Sequence, residues 1–79
     1  MQFAEAPVGS DLAKEAVRAE LERVLGVAAR RIIVKLDGTR VILHGFADSV
    51  ERRFTAEMAV RHVAGVSAVS NYIHASLPH

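Results

Sequence analysis

Apolar residues recur along the first part of the chain at the three-and-four spacing that lines up one side of a helix. The recurrence comprises Ala13, Val17, Leu21, Val24 and Leu25. Ser10 or Asp11 can cap the start of such a helix, and Gly26 occupies the position where a left-handed residue commonly ends one. The spacing therefore predicts a first helix over Asp11–Leu25, terminated by Gly26.

On either side of Asp37-Gly38, in RIIVKLDGTRVILHG, apolar residues recur at every second position instead. Two alternating runs joined by Asp-Gly predict a β-hairpin. The residues of one parity are apolar and should face the core: Ile32, Val34, Leu36, Val41 and Leu43. A two-residue loop would set Lys35 opposite Arg40, whereas a four-residue loop avoids that like-charge pair. Both loops keep the same core face, so the sequence leaves the loop length open.

A second helix is predicted after the hairpin. Asp48 and Glu51 have the spacing of a capping box, with Asp in place of Ser or Thr, and Ala64-Gly65 should end the helix near Val63. Its apolar residues fall on two roughly opposite sides when each residue turns the helix by about 100°. One side consists of Ala56, Ala59, Val60 and Val63, and the other of Val50, Phe54 and Met58. Only one of these sides can meet a sheet.

A last strand is predicted from about Val69, where apolar and polar residues alternate again. Asn71 has the parity of the core-facing residues in this strand, so its side chain should hydrogen-bond neighbouring backbone. Gly45 should end the second strand of the hairpin, at a point where a bend or a close approach of backbone favours glycine.

The length of 79 residues allows one domain, which buries only about 60% of its unfolded surface. We assign this domain to residues 10–76. Residues 1–9 contain Pro7 and Gly9 and no clear period, so they are expected to form a flexible arm, and residues 77–79 a short tail. The first ten residues lack the features of a secretory signal, and no stretch approaches the ~20 residues of a membrane span.

Composition excludes several classes of function. The formal net charge of +1 argues against a dedicated nucleic-acid binder, whose footprint is strongly basic. The Gly-x-x-Gly loop of an RNA-binding KH domain is also absent from the sequence. With no cysteine the chain has neither disulfides nor thiolate chemistry, and both the periplasm and the cytosol fit the sequence.

Catalytic and metal sites are not expected. His44 and His74 share the outer parity of the predicted sheet, but two imidazoles without a neighbouring carboxylate or cysteine fall short of a structural zinc site. Ser49, Asp48 and His62 include the residue types of a hydrolase triad, yet the first two lie at a helix cap, where their side chains satisfy backbone donors. We therefore expect no enzyme activity, no metal and no cofactor.

Two apolar surfaces are candidates for an interface. The first is the outer face of the sheet, where large apolar residues are framed by basic ones: Arg31, Ile33, Lys35, Arg40, Ile42, His44 and Tyr72. Such a set is typical of an interface for anionic lipid or for a protein edge, although single exposed aliphatic residues are common on surfaces. The second is the side of the second helix that carries Phe54 and Met58, for which the arm or a second copy of the chain, as a homodimer, would be the simplest cover.

The order helix, hairpin, helix, strand is accompanied by characteristic short motifs. They are Asp37-Gly38, Val41-x-Leu43-x-Gly45, Glu51-Arg52, Gly65-Val66, Val69 and Asn71-x-Ile73. In this order and spacing the chain resembles a BON domain, a small module named for bacterial osmotic-shock and nodulation proteins. The resemblance covers Asp11 to about Ala75. It departs from the family where Thr39 and Arg40 replace one usual residue and where Ala47 replaces a larger aliphatic residue.

This resemblance implies an α+β fold of the order αββαβ, a two-layer sandwich with two helices on one face of a three-stranded mixed sheet. It also implies attachment to phospholipid membranes or to envelope proteins, a location in the periplasm or cell envelope, and structural roles for Gly45 and Gly65. The family brings no catalytic residues. The alternative function is that of an oligomerising or regulatory accessory domain of a larger protein, which would use Phe54 and Met58 for contacts between chains without lipid.

Overall fold

The elements of the fold follow the predicted order. A computed structural model describes residues 11–75, and the side chains of residues 12–75. The elements are α1 (Asp11–Leu25), a 3-10 helix η1 (Gly26–Arg31), β1 (Ile32–Asp37), β2 (Arg40–Ala47), α2 (Val50–Arg61) and β3 (Ala68–Ala75). The strands lie in the order β1-β2-β3, with β1 antiparallel and β3 parallel to β2. The predicted α+β fold is confirmed, while the predicted arm and tail lie outside the described residues.

Helix α1 has the bounds that its apolar spacing predicted. Val17 and Leu21 are fully buried, and Gly26 follows the helix with a φ of +62°. The predicted cap, Ser10 or Asp11, lies outside the residues whose side chains are described. Helix α1 therefore contributes one apolar side to the core and ends where a left-handed residue can turn the chain.

The 3-10 helix η1 was not predicted, because its six residues carry no apolar period. It is anchored by Arg18 of α1, whose guanidinium donates hydrogen bonds to the carbonyl oxygens of Ala29 at 3.1 Å and Ile32 at 2.7 Å. Within η1, Ala29 is fully buried. These tertiary contacts position η1, and they join α1 to the start of β1.

The hairpin closes with a two-residue turn that begins one residue later than Asp37-Gly38. Asp37 pairs with Arg40 across the turn, so that opposite charges face each other and Lys35 lies opposite Ile42. Gly38 has a φ of +64°, and the carbonyl oxygen of Thr39 accepts the Ser67 N–H at 2.9 Å. This register is the one that a four-residue loop would give, which was one of the two alternatives that the sequence left open. The bond between Thr39 and Ser67 connects the hairpin turn to the chain that enters β3.

Gly45 lies within β2, which continues to Ala47, so the prediction that this glycine ends the strand is wrong. Its φ is +121°, and a Cβ at this position would collide with the carbonyl oxygen of Arg31 and lie 3.0 Å from the carbonyl carbon. The close approach of backbone therefore explains the glycine.

Helix α2 is capped by Ser49 and not by Asp48, which corrects the predicted capping box. The Ser49 Oγ accepts the Arg52 N–H at 3.1 Å, whereas the Asp48 carboxylate lies 3.3 Å from the Arg52 Nε. The helix ends at Arg61, two residues earlier than predicted, with His62 as its C-cap. Gly65 has a φ of +91° and therefore serves the turn beyond the helix.

The core lies between the helices and the inner face of the sheet. It consists of Val17, Leu21, Leu25, Ala29, Ile32, Val34, Val41, Leu43, Ala47, Ala56, Val60 and Ile73. Every one of the predicted hairpin core residues is buried except Leu36, which is half-buried. Since α1, α2 and the inner faces of all three strands contribute to a single cluster, both helices cover the same face, and no element within residues 11–75 covers the other face of the sheet.

Candidate functional site

The outer sheet face, the side opposite the helices, consists of eleven residues at alternate strand positions. They are Ile33, Lys35, Asp37, Arg40, Ile42, His44, Phe46, Ala68, Ser70, Tyr72 and His74. Three large side chains on it are mostly exposed: Ile33 at 55%, Phe46 at 57% and Tyr72 at 64%. In so small a domain, this much exposed apolar surface makes the outer sheet face a candidate interface.

Four rings on β2 and β3 form an aromatic patch at one end of this face. His44 stacks on Tyr72, with ring centroids 5.4 Å apart and planes inclined by 20°. One step further along the strands, Phe46 and His74 meet edge to face at 5.8 Å. Such pairs hold each other's side chains in position. Ile33 on β1 lies opposite His44 on β2 and extends the patch across the sheet.

Basic residues flank the patch on both sides along the strands. Toward the hairpin turn, Lys35 lies opposite Ile42, and Arg40 is the first residue of β2. Toward the other end, Arg31 is the last residue of η1, directly before β1, and it is exposed. Asp37, which lies opposite Arg40, is the only acidic residue in the three strands. The face as a whole is apolar and aromatic with a basic margin.

The structure brings together most of the residues that sequence reasoning proposed for this face. Phe46 was missed, although it continues the alternation of Ile42 and His44, because Gly45 was expected to end the strand. The signal was present: the alternation runs unbroken through the glycine to Ala47, which is buried.

The second candidate surface lies on the helix layer. Val50, Phe54 and Met58 are exposed on α2, with Phe54 at 60%. A groove between α1 and α2 is lined by Glu20, Arg23, Val24, Phe54, Thr55, Met58, Ala59 and His62. The structure therefore places Phe54 and Met58 together, but on the side of the molecule away from the outer sheet face.

Two ion pairs join charged residues of the helix layer. Arg23 Nε lies 3.2 Å from each carboxylate oxygen of Glu20, and Arg61 donates to Glu57 at 3.0 Å. The hydrogen bond from Arg23 lowers the pKa of the Glu20 carboxyl, so this group remains ionised further into the acid range. These surface pairs contribute little to stability, yet they set the local charge pattern.

Comparison with known proteins identifies the family. The sequence model of the BON domain family matches residues 10–76. The chain belongs to the BON domain family. No curated protein sequence matches it significantly. BON domains are non-catalytic binding modules and occur in envelope-associated proteins, which agrees with the resemblance carried by the motifs of the hairpin, α2 and β3.

The hydroxyl and the imidazole that could have belonged to a catalytic triad in this BON domain instead bond the backbone of α2. The Ser49 hydroxyl caps α2, and His62 at the other end of that helix bonds the Met58 carbonyl oxygen at 2.7 Å, so the residue types of a hydrolase triad are not brought together. Within residues 11–75, no three side chains among His, Asp and Glu are grouped so that they could hold a metal ion.

Membrane contact by this BON domain would have to occur at its surface if the described residues alone provide it. None of the helices between residues 11 and 75 is long and apolar enough to cross a bilayer. The two exposed apolar surfaces are the regions that such contact could use.

Proposed function

We propose that this BON domain is a non-catalytic module that attaches to anionic phospholipid surfaces through its outer sheet face. The observation that supports the proposal is the aromatic and aliphatic patch with its basic margin, left uncovered by the two-layer fold. Attachment of this kind would place the protein at the bacterial cell envelope.

The chemistry of the patch matches the interfacial region of a bilayer. Tyr72 combines an apolar ring with a polar hydroxyl, a combination that is favoured at membrane interfaces, and Phe46 and Ile33 add apolar area. Each Lys or Arg near a charged bilayer contributes about 1 kcal/mol. With Arg31, Lys35 and Arg40 as the basic groups, attachment should be weak, reversible and sensitive to salt.

Vesicle flotation tests this proposal. The full chain should float with vesicles that contain phosphatidylglycerol at low salt, lose binding as salt rises, and ignore neutral phosphatidylcholine vesicles. The triple variant Arg31→Gln, Lys35→Gln and Arg40→Gln should lose flotation. A control with the same loss of positive charge on the helix layer, Lys14→Gln, Arg23→Gln and Arg52→Gln, should retain it. Arg53 is left unchanged in this control because it lines a groove with Tyr72 and His74.

Two results would contradict the lipid assignment. If both triple variants lost flotation equally, net charge and not the outer sheet face would account for binding. If the unmodified chain floated with no vesicle, an envelope protein would become the better candidate for the partner of this face.

The second candidate function is association between chains as an oligomerising accessory domain. It is favoured by the exposed Phe54 and Met58 beside the α1–α2 groove. Phe54 and Met58 are not among the residues of the outer sheet face, so the two functions do not depend on the same side chains. The two surfaces approach each other along β3, where Val50 and Arg53 share a groove with Tyr72 and His74.

A further inference from the structure

The exposed apolar stripe of α2 points away from the core. Val50, Phe54 and Met58 follow one another at four-residue intervals, and at about 100° per residue they lie opposite the buried Ala56, Ala59 and Val60. The stripe and the neighbouring groove therefore form the outward surface of the helix layer, which we call the outer helix surface.

Charges of both signs surround this stripe in equal number. The residues are Glu20, Glu51 and Glu57 with Arg23, Arg53 and Arg61. Glu20 is paired with Arg23 and Glu57 with Arg61 within the chain, so this surface carries little net charge. Two copies of such a surface can meet across a twofold axis with little repulsion between like charges. The same balance gives the surface little attraction for an anionic bilayer.

The outer sheet face has the opposite character. Arg31, Lys35 and Arg40 outweigh Asp37, so two such faces brought together would place like charges in contact. Charge complementarity therefore assigns a second copy of the chain to the outer helix surface and an anionic partner to the outer sheet face.

We propose that two copies of this chain pack through their outer helix surfaces, with Phe54 and Met58 at the centre of the contact. Because helices and sheet occupy separate layers, such a dimer has both helix layers inside and its two outer sheet faces on opposite sides. Taken together with the proposed function, on which this step rests, the dimer would hold two anionic bilayers together.

Sedimentation velocity of the full chain without lipid tests the dimer by itself. The chain should form a dimer as its concentration rises, and Phe54→Ser with Met58→Ser should weaken the association by at least about tenfold, because buried apolar anchors dominate such contacts. The control, Phe46→Ser with Tyr72→Ser, removes similar apolar groups from the outer sheet face and should leave the dimer intact. Circular dichroism must show native helix content for both variants.

Three sedimentation results would overturn the proposal. The first is a monomer at every concentration, and the second is a dimer that only the Phe46 and Tyr72 variant disrupts. The third concerns residues 1–9, which span at most about 30 Å when extended and so could reach this surface. If the full chain were monomeric and removal of these residues produced the dimer, the arm would be the native occupant.

Light scattering from phosphatidylglycerol vesicles tests the arrangement of the two faces. The unmodified chain should cluster vesicles at low salt. The Phe54 and Met58 variant should still float with vesicles but not cluster them, whereas the Arg31, Lys35 and Arg40 variant should remain dimeric and do neither. A dimer that floats without clustering vesicles would overturn the back-to-back arrangement, and a dimer that never floats would refute the lipid function while leaving the interface in place.

Discussion

Asn71 links two elements through a single half-buried side chain. Its Nδ2 donates to the carbonyl oxygen of Arg53 at 3.1 Å and to the Glu57 carboxylate at 3.2 Å, while its Oδ1 accepts the Ile73 N–H at 3.0 Å. A polar residue on the inner parity of β3 must find such partners, because an unsatisfied amide there would cost about 1–3 kcal/mol. The bonds fix α2 against β3 and thereby help to fill the inner face.

Side chains of the hairpin alternate between the core and the outer sheet face, and substitutions on the two faces should differ in their effect on stability. Leu43 is fully buried, whereas Ile33 on the neighbouring strand is more than half exposed. Leu43→Ala should therefore reduce the free energy of unfolding by about 2–5 kcal/mol, and Ile33→Ala by much less. Urea denaturation of both variants measures the difference, and equal losses would show that the two faces are assigned incorrectly.

Two glycines with positive φ allow backbone strain to be separated from steric collision. Gly65→Ala should cost about 1–2 kcal/mol through strain alone, because nothing lies within 4 Å of an added Cβ. Gly45→Ala meets the same kind of strain and also the Arg31 backbone, so its loss of stability should be clearly larger. If the Gly45 variant unfolded at the same urea concentration as the Gly65 variant, the close contact between β2 and the end of η1 would be wrong.

At the scale of elements, the N-terminus of α2 offers a further test. Ser49→Ala removes the side-chain acceptor for the Arg52 N–H and should cost about 1 kcal/mol. Asp48→Ala removes only an exposed ion pair with Arg52 and should cost less than about 0.5 kcal/mol. Thermal unfolding followed by circular dichroism compares them, and a larger loss for Asp48→Ala would restore the predicted capping box.

Elements whose residues carry a strong period could be predicted from the sequence. The bounds of α1, the core face of the hairpin and the inward parity of Asn71 all follow from local spacing. In contrast, η1 depends on bonds from Arg18 to backbone eleven and fourteen residues away. The cap of α2 could be either of two adjacent residues that both cap helices well, and only the structure shows that Ser49 has the extended backbone of the cap and accepts the Arg52 N–H.

The candidate site was predictable only in part for the same reason. Alternation identified Ile33, Ile42, His44 and Tyr72 as outward-facing, but it could not show that their rings and side chains are neighbours. That requires the parallel pairing of β2 with β3, a contact between residues about 28 positions apart, as for His44 and Tyr72. Phe46 was not predicted to lie on the outer sheet face, because the sequence does not distinguish a glycine within a strand from a glycine that ends one.

At the scale of the whole molecule, two layers give two unlike surfaces. The sheet side is basic with exposed aromatic residues, and the helix side is apolar with balanced charges. Both helices pack on one face of the three-stranded sheet, so neither of them can cover the other face. The αββαβ order thus leaves one face of the sheet without a helix in the part of the chain that the structure describes, and the side chains of that face determine which partners it could accept.

Fluorescence from a single introduced tryptophan tests most directly whether the outer sheet face meets the bilayer. The chain contains no tryptophan, so Tyr72→Trp and Phe54→Trp each give one reporter, the first on the outer sheet face and the second on the outer helix surface. With phosphatidylglycerol vesicles at low salt, the Tyr72→Trp emission should shift to the blue and be quenched by brominated lipid, while Phe54→Trp should show neither change. Quenching at Phe54→Trp without quenching at Tyr72→Trp would contradict the assignment of the outer sheet face to the membrane.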